Sequence, residues 1–279
     1  MQRLNINELT NIDYSFVKDG TAAMYLATNP HNNRSGILKE NGSMLDIDNE
    51  DLREKLASTI ISMCGLDTAD IELCIDDKGN KYTLSYNVLK ENQKHIALSS
   101  FIITSTDKEE IWKEYMRKIS NSIMCLPQIN LEQYSNIRKR ILELHFMDLI
   151  IDHYDRKADN NKIIYDENTK QYLPPIGYDY GMAFNPNNKN GIFCFLTNEE
   201  VMQFLIKFHY NDLEFLIKNT RATLNENILN LILSQEEYQE LDTNTIHNQI
   251  RQRLNQLDSI LMGQTIETNV EQNKDNIKK

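Results

Sequence analysis

The chain has 279 residues, enough for one large domain or for two lobes that share a cleft. Its composition, 40% hydrophobic and 25% charged, is that of an ordinary globular protein. The formal net charge of −11 argues against a broad nucleic-acid-binding surface, which needs surplus Lys and Arg, so we expect no direct nucleic-acid contact. No run of apolar residues is long enough for a membrane span.

The first third of the chain is rich in predicted strands. Within residues 14–40 two strands flank a polar turn, and Lys39 ends the second strand. Residues 48–64 are predicted to form a helix, because acids fill its first turn and apolar residues recur every three or four positions. A hairpin over residues 71–86 completes this part of the chain.

From about residue 107 the hydrophobic pattern becomes helical. Helices are predicted over residues 109–124 and 131–151, followed by a small hairpin around residues 163–173. Further helices are predicted over residues 197–218, 223–232 and 243–262.

These elements predict an α+β fold with two lobes. A small strand-rich N-terminal lobe covers residues 1–105, and a larger helical C-terminal lobe covers residues 106–263. Residues 264–279 are polar and are predicted to be disordered. The junction of two such lobes is the expected place for a ligand.

Signals of location are weak. The N-terminus lacks the apolar segment of a secretion signal, and the cysteines are scattered without a C-x-x-C pair. Each cysteine lies beside apolar residues, which favours reduced, mostly buried thiols. We therefore expect a cytoplasmic protein.

The pattern with most chemical information is Asp155-Arg156-Lys157-Ala158-Asp159-Asn160, followed by Asp179-Tyr180-Gly181. Magnesium-dependent phosphoryl transfer needs a group that accepts the proton of the attacking hydroxyl. It also needs an amide oxygen and a second carboxylate that hold the metal. The acid, the amide five positions later and the second acid inside a D-x-G supply these groups.

Each residue of this pattern has a predicted role. Asp155 is the candidate catalytic base. Asn160, favoured over Asn161 by its spacing, and Asp179 are the candidate Mg²⁺ ligands. Arg156 either supports the catalytic loop through an ion pair or touches a phosphate. Any one of these residues alone is better explained as a polar loop residue, so the prediction depends on the set.

Residues of the N-terminal lobe are the candidates for phosphate contact. Lys39 can point into the cleft and hold nucleotide phosphates, and Glu54 on the following helix is its predicted partner, with Glu50 as the competing acid. Gly20 and Thr21 belong to a small-residue loop whose backbone N–H groups can bind phosphates, although a single glycine makes this signal weak.

These residues resemble the HipA-like serine/threonine kinases, and most closely the short, stand-alone CtkA-like members of that family. The family has a D-R-H-x-x-N catalytic loop, matched here from Asp155 to Asn160, and a later D-x-G, matched at Asp179. Its strand lysine falls on Lys39 and its helix glutamate on Glu54. The chain departs from the family in the catalytic loop, where Lys157 replaces a His. It departs again just before the loop, where Asp152-His153-Tyr154 replaces Gly-Asn-x.

The resemblance covers roughly residues 14–262 and implies a two-lobed protein-kinase-like fold. It implies ATP and Mg²⁺ as cofactors and transfer of phosphate to Ser or Thr of a protein substrate. It also implies autophosphorylation on a loop near the nucleotide, with Thr21 as the candidate. Because members often act in toxin–antitoxin systems, the expected partners include an antitoxin or regulatory protein on another chain.

Three alternatives stay open. A kinase of the same fold could act on a lipid head group or small molecule, although the acidic charge counts against a membrane surface. A pseudokinase would bind nucleotide or a partner without turnover. A metal-dependent hydrolase could use a cluster of acids and imidazoles that lacks a known metal motif, namely His145, Asp148, Asp152, His153 and Asp155.

Overall fold

The computed structural model describes most of the chain. It covers residues 3–13, 24–41, 49–86, 88–90, 92–98, 101–154, 156, 161–177, 179–185 and 191–277, with side chains as far as Gly263. Within this part of the chain, no helix is both long and apolar enough to cross a bilayer.

The N-terminal lobe is built on a six-stranded sheet within the described residues. Its strands are β1 (Leu4–Asn5), β2 (Thr10–Asp13), β3 (Met24–Asn29), β4 (Arg34–Glu40), β5 (Asp70–Ile75) and β6 (Lys81–Tyr86). Their order across the sheet is β1-β5-β6-β4-β3-β2, and all neighbours are antiparallel except β1 and β5. Helix α1 (Glu50–Met63) lies against β5 and β6.

The alternation of side chains along β4 determines which face of the sheet Lys39 lies on. Ile37 packs against the main core, whereas Leu38 is buried in a second, smaller core within this lobe. Since successive side chains of a strand point to opposite faces, Lys39 shares the face of Ile37. Its Cα partner on β6 is Thr83, whose side chain is fully buried. Lys39 therefore points to the side of the sheet that α1 covers.

The C-terminal lobe is mainly helical. Its helices are α2 (Lys108–Met124), α3 (Leu131–Ile150), α4 (Asn198–Thr223), α5 (Glu226–Leu233) and α6 (Thr243–Ile277). Helix α3 packs against α2, α4 and α6, and its C-terminal half is buried almost completely. It starts at a capping box formed by Asn130 and Gln133, which satisfies N–H groups at the helix end.

A second, three-stranded sheet lies beside these helices. It consists of β7 (Gln93–Ile96), β8 (Ile163–Asp166) and β9 (Gln171–Leu173), paired antiparallel in that order. Strand β9 leads into the segment that carries Asp179.

The predicted α+β arrangement of two lobes is confirmed, with three differences in detail. Strand β7 was not predicted, and it pairs with β8 across the boundary placed at residue 105. The backbone of α6 continues to Ile277 through the tail predicted to be disordered, and no Pro interrupts that run. Of the cysteines, Cys64 and Cys74 are buried, but Cys125 and Cys194 are exposed.

Candidate functional site

The structure describes four of the predicted site residues: Lys39, Glu54, Arg156 and Asp179. The other four, Gly20, Thr21, Asp155 and Asn160, lie outside the described residues, and their roles stay predictions.

Lys39 and Asp179 meet where the two lobes join. Lys39 Nζ donates hydrogen bonds to Asp179 Oδ1 at 2.6 Å and to Glu50 Oε1 at 2.9 Å. The lysine comes from the end of β4, Glu50 is the first residue of α1, and Asp179 follows β9. One ammonium group thus joins a strand and a helix of the N-terminal lobe to the D-x-G segment of the C-terminal lobe.

The acid that bonds to Lys39 is Glu50 and not the predicted Glu54. Glu54 lies one helical turn later, is 1% exposed, and its Oε2 accepts a hydrogen bond from Thr83 Oγ1 at 3.3 Å. Residues four apart share a helix face, so both acids face the lysine. Because the Lys39 side chain reaches toward Asp179, its ammonium lies beside the first turn of α1, where Glu50 is located.

The charges in this cluster determine its ionisation. Attraction by Lys39 lowers the pKa of the Asp179 carboxyl. Burial raises the pKa of Glu54 to about 7, against the opposing effect of the Lys39 charge. Burial alone would lower the pKa of Lys39, but the charges of Asp179, Glu54 and Glu50 raise it above its ordinary value. Near neutral pH, Lys39 is a cation and Asp179 is an anion.

The D-x-G turn depends on Asp179 and Gly181 in different ways. Asp179 has a left-handed backbone, with φ of 62°, which is uncommon outside glycine. Among described glycines, only Gly65 and Gly79 have a positive φ, so Gly181 is not needed here for a left-handed backbone. It provides space, because a Cβ built there would lie 2.6 Å from Glu50 Oε1.

Arg156 forms the ion pair that was one of its two predicted roles. Its Nη2 donates to Asp148 Oδ1 at 2.9 Å and its Nε bonds to Asp148 Oδ2, so the pair is bidentate. Burial opposes the charge on Arg156, but Asp148 raises its pKa above the ordinary value. With 3% of its surface exposed, Arg156 is not available to a phosphate. Its guanidinium carbon lies 5.5 Å from the ring centroid of Tyr180, the middle residue of the D-x-G.

The segment before position 155 is anchored from the last helix. Arg253 Nε on α6 donates to Asp152 Oδ1 at 2.6 Å, and the Tyr154 hydroxyl bonds to the same carboxylate. Tyr154 is fully buried. Tyr154 and Arg156, the neighbours of position 155 in the sequence, are therefore both buried and anchored. Sequence reasoning missed Arg253, because no local pattern marks a partner 101 positions away.

Side chains considered for a metal-dependent hydrolase are engaged in internal contacts. His145 lies between the Tyr115 hydroxyl and the Ile141 carbonyl, at 2.7 Å from each. His153 packs edge-on against the Tyr180 ring, with centroids 5.1 Å apart. Burial lowers the pKa of His145 to about 4 and that of His153 to about 3, so both are neutral. Among the described residues, no group of three or more His, Cys, Asp or Glu could hold a metal ion.

Arg53 ties the segment after the D-x-G to helix α1. Its Nη1 donates to the carbonyl oxygens of Ala183 at 3.3 Å and Phe184 at 3.2 Å. The Phe184 N–H donates to the Ile151 carbonyl at 2.8 Å, just beyond the end of α3. The sequence indicated no role for Arg53, which is one charged residue among several on the predicted helix.

Comparison with solved structures identifies the architecture. The structure is similar to the crystal structure of CtkA, a proinflammatory kinase of Helicobacter pylori, with a TM-score of 0.64 over 96% of this chain and 99% of that chain. The chain has a protein-kinase-like fold. Since the sequences are 11% identical, this likeness shows the fold alone, and membership of the HipA-like family stays a prediction.

Other comparisons add no further argument. The PAN3 pseudokinase of Drosophila melanogaster matches at a TM-score of 0.32 and 12% identity, over 95% of this chain and 73% of that chain. The Neurospora crassa PAN3 pseudokinase matches at 0.32 and 11% identity, over 98% and 69%. Both TM-scores are too low to support a conclusion. No family model matches the sequence, and no curated protein matches it significantly.

Proposed function

We propose that this chain is an ATP- and Mg²⁺-dependent Ser/Thr protein kinase. The observation that carries the proposal is the hydrogen bond between Lys39 and Asp179, two side chains 140 positions apart. The sequence pattern assigns the first to the nucleotide phosphates and the second to the metal. Their contact in a protein-kinase-like fold supports the proposal, because both roles need these side chains close to the same phosphate groups.

The residues at this place suit the proposed ligands. Asp179 is an anion with 40% of its side chain exposed, and carboxylate oxygens are preferred Mg²⁺ ligands. Asn161 is fully buried, which favours Asn160 as the second ligand. Bound Mg²⁺ would neutralise charge on the nucleotide phosphates, and Lys39 would hold those phosphates from the N-terminal lobe.

In this proposal, the segment around position 155 carries out the phosphoryl-transfer step. The hydroxyl oxygen of the substrate attacks the γ-phosphorus, the bond from that phosphorus to the ADP oxygen breaks, and Asp155 accepts the hydroxyl proton. The bidentate Arg156–Asp148 pair and the Arg253–Asp152 pair hold this segment on both sides of position 155. The second pair supports the loop where the chain departs from the Gly-Asn-x of the HipA-like kinases.

The proposed substrate is a Ser or Thr hydroxyl of a protein. Thr21 is the proposed site of autophosphorylation, and an antitoxin or regulatory protein on another chain is the proposed partner. A lipid head group is the less favoured substrate, because a net charge of −11 opposes approach to an anionic membrane surface.

The test is incubation of the purified chain with γ-labelled ATP and Mg²⁺, alone and with a generic protein substrate. We expect label on protein Ser or Thr. Asp155→Ala should abolish transfer while nucleotide binding persists, and Asp179→Ala should also weaken Mg²⁺-nucleotide binding. Asp212→Ala is the matched control, because Asp212 is a half-exposed acid on α4 away from this site.

Three other outcomes of these assays would point away from the proposed function. Nucleotide-dependent thermal stabilisation without transfer would identify a pseudokinase. Transfer to a lipid or small molecule, with no label on protein, would identify a kinase of the same fold with another substrate. Wild-type transfer by both the Asp155 and the Asp179 variants would refute the assigned roles.

A further inference from the structure

Helix α1 begins without a side-chain cap. Asn49, the residue before the helix, has left-handed φ and ψ of 58° and 42°, and its side chain makes no capping hydrogen bond. A capping side chain normally satisfies an N–H group of the first turn and fixes the helix start. In this protein the first turn also carries Glu50, which bonds to Lys39, so its position matters for the candidate site.

A buried ion pair holds this turn instead. Arg3 Nη1 donates to Oδ2 of Asp51, the residue after Glu50, and the two side chains are 9% and 1% exposed. Two further buried atoms, Arg3 Nη2 and Asp51 Oδ1, have no hydrogen-bond partner in the described structure. Among the residues that the structure describes, Arg3 is the one cation paired with Asp51, so removing Arg3 leaves no described cation to compensate that carboxylate. A buried charge left alone is strongly unfavourable.

Arg3 is itself fixed to the edge of the sheet. Leu4 and Asn5 pair in parallel with Cys74 and Ile75 of β5. The side-chain amides of Asn5 and Asn7 donate to the two carboxylate oxygens of Asp77, at 2.9 and 2.6 Å. The N-terminal segment is thus attached to the sheet on one side and to α1 on the other.

We propose that Arg3 is a positioning residue for Lys39. Through Asp51 it fixes the first turn of α1, so that Glu50 holds the Lys39 ammonium in contact with Asp179. The kinetic consequence rests on the proposed function, whereas the effect on α1 can be measured without catalysis.

The structural arm compares amide hydrogen exchange of the full chain with that of Arg3→Met. We expect faster exchange in residues 51–56, at the start of α1, with β4 and β6 unchanged. The matched control is Arg34→Met, which breaks another Arg–Asp pair of the same lobe, Arg34 with Asp70 at 2.6 Å, in which neither residue belongs to α1. It should leave exchange in residues 51–56 unaltered.

The kinetic arm measures phosphoryl transfer against ATP concentration. Arg3→Met should raise the KM for ATP by about tenfold, because a misplaced lysine weakens a phosphate contact already made in the ground state, with a smaller change in kcat. Asp51→Asn should have a similar effect, and the double variant should be no worse than either single variant, since both act through one contact. Arg3→Lys keeps the positive charge and should recover part of the affinity for ATP. It also allows the same measurements if Arg3→Met does not fold.

The outcomes separate this inference from the proposed function. If α1 loosens in Arg3→Met but the wild-type chain neither binds nucleotide nor transfers phosphate, the positioning of α1 stands and the kinase proposal fails. If the wild-type chain is active but neither Arg3 variant alters exchange in α1 or the KM for ATP, the inference about Arg3 is wrong. Additive effects of Arg3→Met and Asp51→Asn would also refute it.

Discussion

Glu50 fills the space where a side chain at position 181 would begin. A Cβ built on Gly181 lies 2.6 Å from Glu50 Oε1, the oxygen that accepts the hydrogen bond from Lys39. The glycine of the D-x-G is therefore matched to the acid at the start of α1, and the two positions tolerate change only together.

Gly181→Ala should separate stability from ligand binding. The added methyl group meets the Glu50 side chain at Cγ, 2.4 Å away, as well as at Oε1, so that side chain must swing to another rotamer, and we expect a loss of stability of about 1–2 kcal/mol. The swing breaks the bond to Lys39, and nucleotide affinity should fall by about tenfold. Thermal denaturation and nucleotide titration measure the two effects. Gly263→Ala is the control, because nothing lies within 4 Å of a Cβ at that position; equal nucleotide affinity in both variants would contradict the prediction.

The two acids of α1 should differ in their support of Lys39. Glu50→Gln removes the charge from the group that bonds to the lysine, and we expect the KM for ATP to rise by about five- to tenfold. Glu54→Gln leaves that contact in place and should change the KM by less than about twofold. Steady-state kinetics on the two variants measures the difference. The opposite order of effects would restore Glu54 as the partner suggested by the sequence.

Glu54 should also make stability depend on pH. Its pKa of about 7 in the folded protein exceeds that of an exposed Glu, so the folded state binds the proton more tightly than the unfolded state. The stabilisation is complete below the unfolded pKa and is lost as the pH rises toward and through 7. Glu54→Gln should therefore gain about 1–3 kcal/mol relative to wild type between pH 5 and pH 8. Denaturant unfolding at several pH values measures this difference, and a constant difference would show that Glu54 titrates normally.

The Arg156–Asp148 pair should be costly to break. Arg156→Met or Asp148→Asn leaves one buried charge without its partner, and we expect a loss of about 3–5 kcal/mol. Replacing both residues with Met and Leu should cost less than the sum of the single changes, because no charge then remains buried. Urea unfolding gives these values. As a control, Lys218→Ala breaks an exposed pair with Glu214 and should leave the urea midpoint unchanged.

The sequence predicted the local elements well and the contacts between lobes less well. Helices α1 and α3 and the β5–β6 hairpin follow from periodicity and turn residues close together in the chain. The convergence of Lys39 with Asp179 was predicted only because a chemical motif supplied the roles. The choice between Glu50 and Glu54 could not be predicted, because both acids lie on the same face of α1. Which of them bonds to Lys39 depends on how far the lysine side chain extends toward Asp179.

Long-range partners had no local signal at all. Arg253 and Arg3 belong to no recognisable motif, and their bonds to Asp152 and Asp51 depend on how α6 and the first strand pack. Strand β7 was missed for a related reason. Gln93–Ile96 is short and polar, and it becomes a strand by pairing with β8, which lies in the other predicted lobe.

The bonds of Arg53 link two parts of the protein that a ligand would be expected to move. Helix α1 carries Glu50, and the segment ending at Phe184 continues from Asp179. The Arg53 guanidinium therefore connects the two backbone segments whose carboxylates bond to Lys39. If α1 rotates, either that segment moves with it or the hydrogen bonds of Arg53 break first. Movement of the two lobes relative to each other is therefore expected to be concerted, with both acids leaving or approaching the ammonium together.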